Sequence, residues 1–177
     1  MICAALVIAL AGCASQEFND ALTPSVELIK DDFDGTLILR QKPVGATSSM
    51  SEPVHTLGFE WLQKDPDRIY VTAGVFGTHA VIGVAFNADG FVMKDLERAS
   101  YTTSFKGQDF YRSSSSRFVM TWVDFLRVAN ARSVKMRVSR INDYATSSFG
   151  PDHPGAIVNT KLAPFVAQVQ ALRAAKK

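Results

Sequence analysis

Hydrophobic and polar positions alternate with a period of two along most of this chain and switch to helical spacing in only two places. Over Gly35 to Gln41, Leu37 and Leu39 alternate with Thr36, Ile38 and Arg40, which predicts a first strand. Leu57, Phe59 and Trp61 alternate with Gly58, Glu60 and Leu62; Ile69, Val71, Ala73 and Val75 repeat the pattern beyond Asp65-Pro66-Asp67, which reads as a turn. Val81 to Phe86 is apolar on both faces, as a central, covered strand is, and Asn87-Ala88-Asp89-Gly90 ends it with a strong turn signal. Phe91 to Leu96, Tyr101 to Phe105 and Arg117 to Met120 are further predicted strands. Val134, Met136 and Val138 alternate with Lys135, Arg137 and Ser139, giving a strand with one basic face.

The two helical segments are equally legible. Trp122, Phe125, Leu126 and Ala129 fall at i, i+3, i+4 and i+7 behind Thr121, an N-cap with Asp124 three residues on. Leu162, Phe165, Val166 and Val169 repeat the spacing, with Asn159 or Thr160 as the cap. A series of strands followed by helix, strand and helix predicts an α+β domain: an antiparallel sheet of about six to eight strands with two helices packed on one face. A helix-decorated β-sandwich is the alternative. No internal repeat or second domain is visible.

The connections read as follows. Residues 14–33 form a linker with a short helical turn at Ser25 to Lys30, and Pro43 to Pro53 is a mobile, proline-bounded loop. Ser113 to Ser116 is a flexible turn. Asn142 to Val158 lacks periodicity and makes a long crossover into the last helix; loops of that length are often functional.

The N-terminus departs from this globular pattern. Ile2 to Ala11 is apolar apart from Cys3, yet shorter than the roughly 20 residues a bilayer-spanning helix needs. It ends in Leu10-Ala11-Gly12-Cys13, which resembles the lipobox of bacterial lipoproteins. The resemblance covers residues 1–13 alone. It implies cleavage before Cys13, diacylation of its thiol and usually acylation of the new amino group. Two or three acyl chains anchor stably where one does not. Residues 1–12 are then a signal peptide, 13–33 a lipidated N-terminus and linker, and 34–177 a single α+β domain. Ala14 stands where an aspartate would favour inner-membrane retention in enteric-type bacteria, so the resemblance implies an outer-membrane anchor facing the periplasm. No Lys or Arg precedes the apolar run, which points to a start upstream of Met1.

Composition is that of an ordinary globular protein, 47% hydrophobic and 20% charged, and argues against overall disorder. With Cys3 removed and Cys13 acylated, no thiol remains for a disulfide or a cysteine zinc site. The net charge of +2 hides a split: residues 1–68 carry ten acids and five bases, residues 69–177 seven acids and fourteen bases. Such asymmetry favours acidic partners on one side of the molecule.

Motifs of the common hydrolases and nucleotide binders, G-x-S-x-G, H-E-x-x-H and the phosphate-binding glycine loops, are missing from the sequence. Asp31-Asp32-Phe33-Asp34-Gly35 lacks the closing glutamate of a calcium loop, and His55, His79 and His153 are isolated, so neither a metal nor another cofactor is implied. No catalytic residue stands out. The candidate binding surface is basic: Arg117, Arg127, Lys135, Arg137 and Arg140, joined by Asp152 and His153 of the long loop, with Arg112, Arg132, Phe110 and Tyr111 nearby. Arginine forks suit phosphate and carboxylate. The function this predicts is a non-enzymatic, membrane-tethered module that binds an envelope protein or an anionic envelope component, not nucleic acid. The alternative is an envelope hydrolase using Asp152 and His153, or Asn142 and Asp143, within the 142–158 loop.

Overall fold

Where the alternation of period two runs unbroken, the chain forms antiparallel sheet. The computed structural model describes residues 25–77, 79–99, 104–106 and 113–175. In chain order these form β1 (Val26–Lys30), β2 (Leu37–Gly45), β3 (His55–Leu62), β4 (Asp65–Phe76), β5 (Val81–Ala88), β6 (Phe91–Met93), β7 (Glu97–Arg98), β8 (Ser104–Lys106) and β9 (Ser113–Thr121). Helix α1 (Trp122–Asn130), β10 (Val134–Arg140), β11 (Tyr144–Phe149) and helix α2 (Asn159–Ala174) complete the set. The class is α+β. The strands divide between two sheets: one of seven strands, ordered β1-β2-β3-β4-β9-β7 with β8 also on β9, and one of four, ordered β11-β10-β5-β6. The molecule thus combines the broad sheet and two helices of one expectation with the second sheet of the other.

The division has a local cause. Gly77, at φ 106°, ends β4, and β5 leaves to pair with β6 and β10 instead of returning beside β4. The place beside β4 is taken by β9. Between the two sheets, serine hydroxyls replace the backbone ladder. Buried Ser114 donates to the carbonyl of His79, and buried Ser116 to the carbonyl of Val81 at 2.7 Å. Ser113 to Ser116 is therefore strand, not a flexible turn. Its hydroxyls satisfy carbonyls that a purely apolar strand would leave orphaned.

Both helices bury an apolar stripe. Thr121 caps α1 as expected, its hydroxyl accepting from the Asp124 amide at 3.1 Å, and Trp122, Phe125 and Val128 face inward. Leu162, Phe165 and Val169 are the buried residues of α2. Phe59 on β3, Phe125 and Phe165 meet in a three-ring cluster, with centroids 5.0, 5.7 and 5.6 Å apart. This cluster seats both helices on the inner face of the large sheet. Phe86 and Phe149 make a further edge contact at 6.4 Å within the small sheet.

Several connections differ from expectation. Val26 to Lys30 pairs with β2 as an edge strand rather than forming a helical turn, because sheet pairing overrides local propensity. Leu62 pairs with Asp65, which puts the turn at Gln63 and Lys64; Pro66 lies inside β4, its carbonyl accepting from the Trp61 indole at 3.1 Å. Strand β2 runs through Pro43 to Gly45 after an irregularity between Gln41 and Val44. The segment Tyr144 to Phe149, read as loop, pairs with β10 along its whole length. Its inward residues are Ala145, Ser147 and Phe149, and the first two are too small or polar to give an apolar alternation with the last. Of the predicted strand Tyr101 to Phe105, residues 101–103 lie outside the described part, as do the Leu10-Ala11-Gly12-Cys13 motif, Phe110, Tyr111 and Arg112.

Phe125 is completely buried and touches both other rings of the cluster. Phe125→Ala is expected to cost about 3–5 kcal/mol of unfolding free energy in chemical denaturation, with the folded population retained only if total stability exceeds that loss.

Candidate functional site

The pleat of β10 assigns its residues to two environments. Val134, Met136 and Val138 are fully buried, so Lys135 and Arg137 must stand on the opposite face. Register fixes their neighbours. Lys135 lies between Asn87 and Ser148, and Arg137 between Ala85 and Thr146. On the edge strand β6, Val92 sits beside Asn87. Lys94 and Asp95 follow directly.

Together these side chains line a groove of about 360 Å³ across the outer face of the small sheet. Ala85, Val92 and Thr146 provide small and apolar lining, and Lys94, Lys135 and Arg137 provide positive charge. Asp95 is the only acid in the lining; it pairs with Arg137 at 3.4 Å, a long contact between two half-exposed groups. The Arg137 guanidinium also lies 5.7 Å from the ring centroid of Tyr144 on the other edge strand. Among the described residues, neither Lys94 nor Lys135 forms an ion pair.

A smaller depression of about 260 Å³ adjoins the groove and shares Asn87 and Lys135 with it. It sits against the turn at Asp89 and Gly90, whose φ values of 49° and 91° suit Asp-Gly. The Asp89 carboxylate accepts from the amides of Arg132 and Ser133 at 2.9 and 2.8 Å. The bonds from Ser133 and then Arg132 hold it below the usual carboxylate range, so Asp89 serves as a clamp on the α1–β10 connection.

The remaining sequence candidates are dispersed. Arg117 occupies the outer face of the large sheet, bonded to Glu60 and 4.2 Å above the Tyr70 ring, with Arg40 on the same glutamate at 2.8 Å. Arg127 pairs with Asp124 on α1 and covers Phe91. Arg140 makes two bonds of 2.6 Å to Asp143, clamping the β10–β11 turn, which takes Asp143 out of the Asn142-Asp143 pairing. Asp152 pairs with Arg132 at 3.0 Å, whereas His153 is hydrogen-bonded to Ser133 at 3.1 Å. Of the seven expected residues, only Lys135 and Arg137 share a site. Lys94, Asp95 and Asn87 were missed. Their signal is present, since Lys94 follows Val92 at a spacing of two, but only strand pairing reveals the strand they join.

The loop after β11 is held rather than mobile. Asn159 does not cap α2. Its amide instead staples the loop, accepting from the Gly150 amide at 2.7 Å and donating to the carbonyls of Gly150 and His153. The backbone at Gly150 has φ 105°, and a Cβ there would lie 2.6 Å from the Arg132 carbonyl oxygen.

A second polar cluster is buried. His55, at the start of β3, is 1% exposed, and its Nδ1 lies 2.9 Å from the hydroxyl of Ser147, itself inaccessible. The Nε2 atom has no hydrogen-bond partner among the described residues. Beside it, the Glu52 carboxylate accepts from both the amide and hydroxyl of Ser148, tying the 46–54 loop to the free edge of β11. With an unpartnered ring nitrogen and no access for substrate, the His55–Ser147 pair fits a structural role. His79 lies in the β4–β5 connection, and among the described residues no three His, Cys, Asp or Glu side chains gather as metal ligands.

Comparison of the chain with protein-family models and with curated proteins gives no match.

The buried histidine sets an acid limit. Burial, and then the Arg140 charge, lower its pKa from 6.5 to about 4, with Glu52 opposing. The unfolded chain therefore takes up the proton first. Stability is fully present above pH 6.5 and declines as the pH falls toward about 4, by at most about 3 kcal/mol. Denaturant titrations across this window should show the decline in the wild type and a shallower slope in His55→Gln; equal slopes would refute the assignment.

Proposed function

We propose that this chain is a lipoprotein anchored to an envelope membrane through Cys13, and that its folded domain is a non-enzymatic module binding an anionic envelope component. The lipobox resemblance supports the anchor; the groove supports the binding. Among the described residues, no helix is long and apolar enough to cross a membrane. The observation that carries the binding role is the convergence of Lys94, Lys135 and Arg137 on one groove with a single opposing acid. Guanidinium and ammonium groups in a depression recognise phosphate or carboxylate well, because charge-assisted bonds combine with partial exclusion of water. Position argues the same way, since the groove occupies the face of the small sheet turned away from the core.

The hydrolase reading has less behind it. Asp152 and His153 hold different partners, and the hydrogen bonds of Asn159 and Gly150 give the loop a structural task.

Metabolic labelling with an alkyne fatty acid tests the anchor: the wild type takes label and fractionates with membranes, and Cys13→Ala loses both. Label persisting in the variant overturns the assignment. Retention on a sulfated-polysaccharide column tests the groove. Lys135→Gln combined with Arg137→Gln should elute at much lower salt than the wild type. Lys42→Gln combined with Lys64→Gln, which removes two exposed cations away from the groove, should elute closer to it. Equal shifts for the two variants would show that net charge, not the groove, is responsible.

A further inference from the structure

We infer that the groove face is a membrane-docking face, with a phospholipid headgroup phosphate as its ligand. This rests on the anionic-ligand reading above and narrows it to one class. Three observations point the same way. First, the cations sit centrally: Lys135 and Arg137 belong to β10, an inner strand of the order β11-β10-β5-β6. Second, both edge strands carry exposed apolar surface on this same face. Val92 on β6 is 60% exposed, and Tyr144 on β11 is 67% exposed. Val92 pairs with Asn87 and Tyr144 with Ser139, so each shares the pleat of Lys135 and Arg137. Three strand spacings of about 4.8 Å, with Val92 level with Lys135 and Tyr144 level with Ser139 further along β10, place these flanks roughly 20 Å apart on a diagonal. Third, the groove between them is small and lined by Ala85, Val92 and Thr146, room for a phosphate-bearing headgroup rather than a folded partner.

A cationic centre between an aliphatic and a tyrosyl flank matches the chemistry of a bilayer interface. Phosphates lie at the headgroup level, and tyrosine and short aliphatic side chains are at home just beneath it. A soluble polyanion would use the cations equally well but would gain nothing from Val92 and Tyr144 standing in water. Asp95 tunes the site. Its long contact with Arg137 is readily exchanged for a phosphate oxygen, which accepts a fork of two N–H bonds.

The test is flotation of the full chain carrying Cys13→Ala, so that no acyl chain contributes, with phosphatidylcholine vesicles with and without phosphatidylglycerol. The expected result is binding only to the anionic vesicles. Lys135→Gln with Arg137→Gln should weaken it roughly 25-fold, about fivefold for each cation removed. Val92→Ser with Tyr144→Ser, both exposed positions on edge strands, should weaken vesicle binding by a larger factor than it weakens retention on the polysaccharide column. Polysaccharide retention that depends on the groove, with no vesicle binding, overturns the lipid inference and leaves the anionic-ligand reading standing. Loss of both overturns both. Vesicle binding indifferent to Val92 and Tyr144 overturns the docking geometry.

Discussion

The contact among Phe59, Phe125 and Phe165 carries more of this architecture than any other. A seven-stranded sheet presents an inner face too wide for a four-stranded partner to cover. Without further cover, part of the buried set on β2, β3 and β4 would meet water. Helices α1 and α2 fill the gap, and they do so through two aromatic rings that converge on a third from β3. Edge-to-face geometry adds to the apolar area that the rings remove from water. Trp122, stacked on Phe125, extends the cluster toward Arg173 at the far end of α2, which lies over the indole and bonds to Asp67. The chain is therefore closed on itself, since its last helix is fixed to the start of β4.

The small sheet follows from that arrangement. Once α1 is seated, the chain must return, and β10 begins four residues after the helix ends. The short connection is fixed by the Asp89 carboxylate, which holds the amides of Arg132 and Ser133 and so ties the start of β10 to the end of β5. From there the register is forced. A shift of one residue would bury Lys135 and Arg137 and expose Val134, Met136 and Val138, which the core does not permit. The basic groove is the reverse side of a hydrophobic decision. Its geometry is fixed by buried residues, and its chemistry by residues that are free to differ.

This division explains what was legible in the sequence. The helices, the strand with the basic face and the Asp-Gly turn could be read because each carries a strong local signal: a capped apolar stripe, a clean alternation, a dipeptide suited to positive φ. Strand β11 could not, because of its inward residues only Phe149 is a large hydrophobe, while Ala145 is small and Ser147 polar, made compatible by bonding His55. Nor could the Ser113–Ser116 strand, whose hydroxyls serve carbonyls of a distant segment. In both cases the deciding partner is remote in sequence, so no window along the chain contains the information. The same holds for the site. Lys135 and Arg137 were legible as the outward face of one strand. Lys94 and Asp95 join them only through the pairing of β5 with β6, and Arg117, close in sequence, goes to the other sheet.

The groups that hold the scaffold also bear on how the groove can act. Arg140, Asp152, His153 and Asp89 are each bonded to another part of the fold, and releasing any of them would loosen a turn or a loop. Lys94, Lys135 and Arg137 are different: among the described residues the two lysines have no ion pair, and Arg137 has the long contact to Asp95 and a distant one to the Tyr144 ring. A ligand binding there displaces little and requires little rearrangement, which keeps more of each new contact as net affinity. Lys135 and Arg137, on an inner strand, lose little more than their own rotamer freedom on binding, whereas cations on a loop would also have to order the backbone. An open groove with charged residues at its centre is thus better suited to repeated, reversible contact with an anionic surface than to enclosing a substrate. For a domain held near a membrane by the proposed anchor, weak contact of this kind would suffice, because such an anchor would supply a high local concentration.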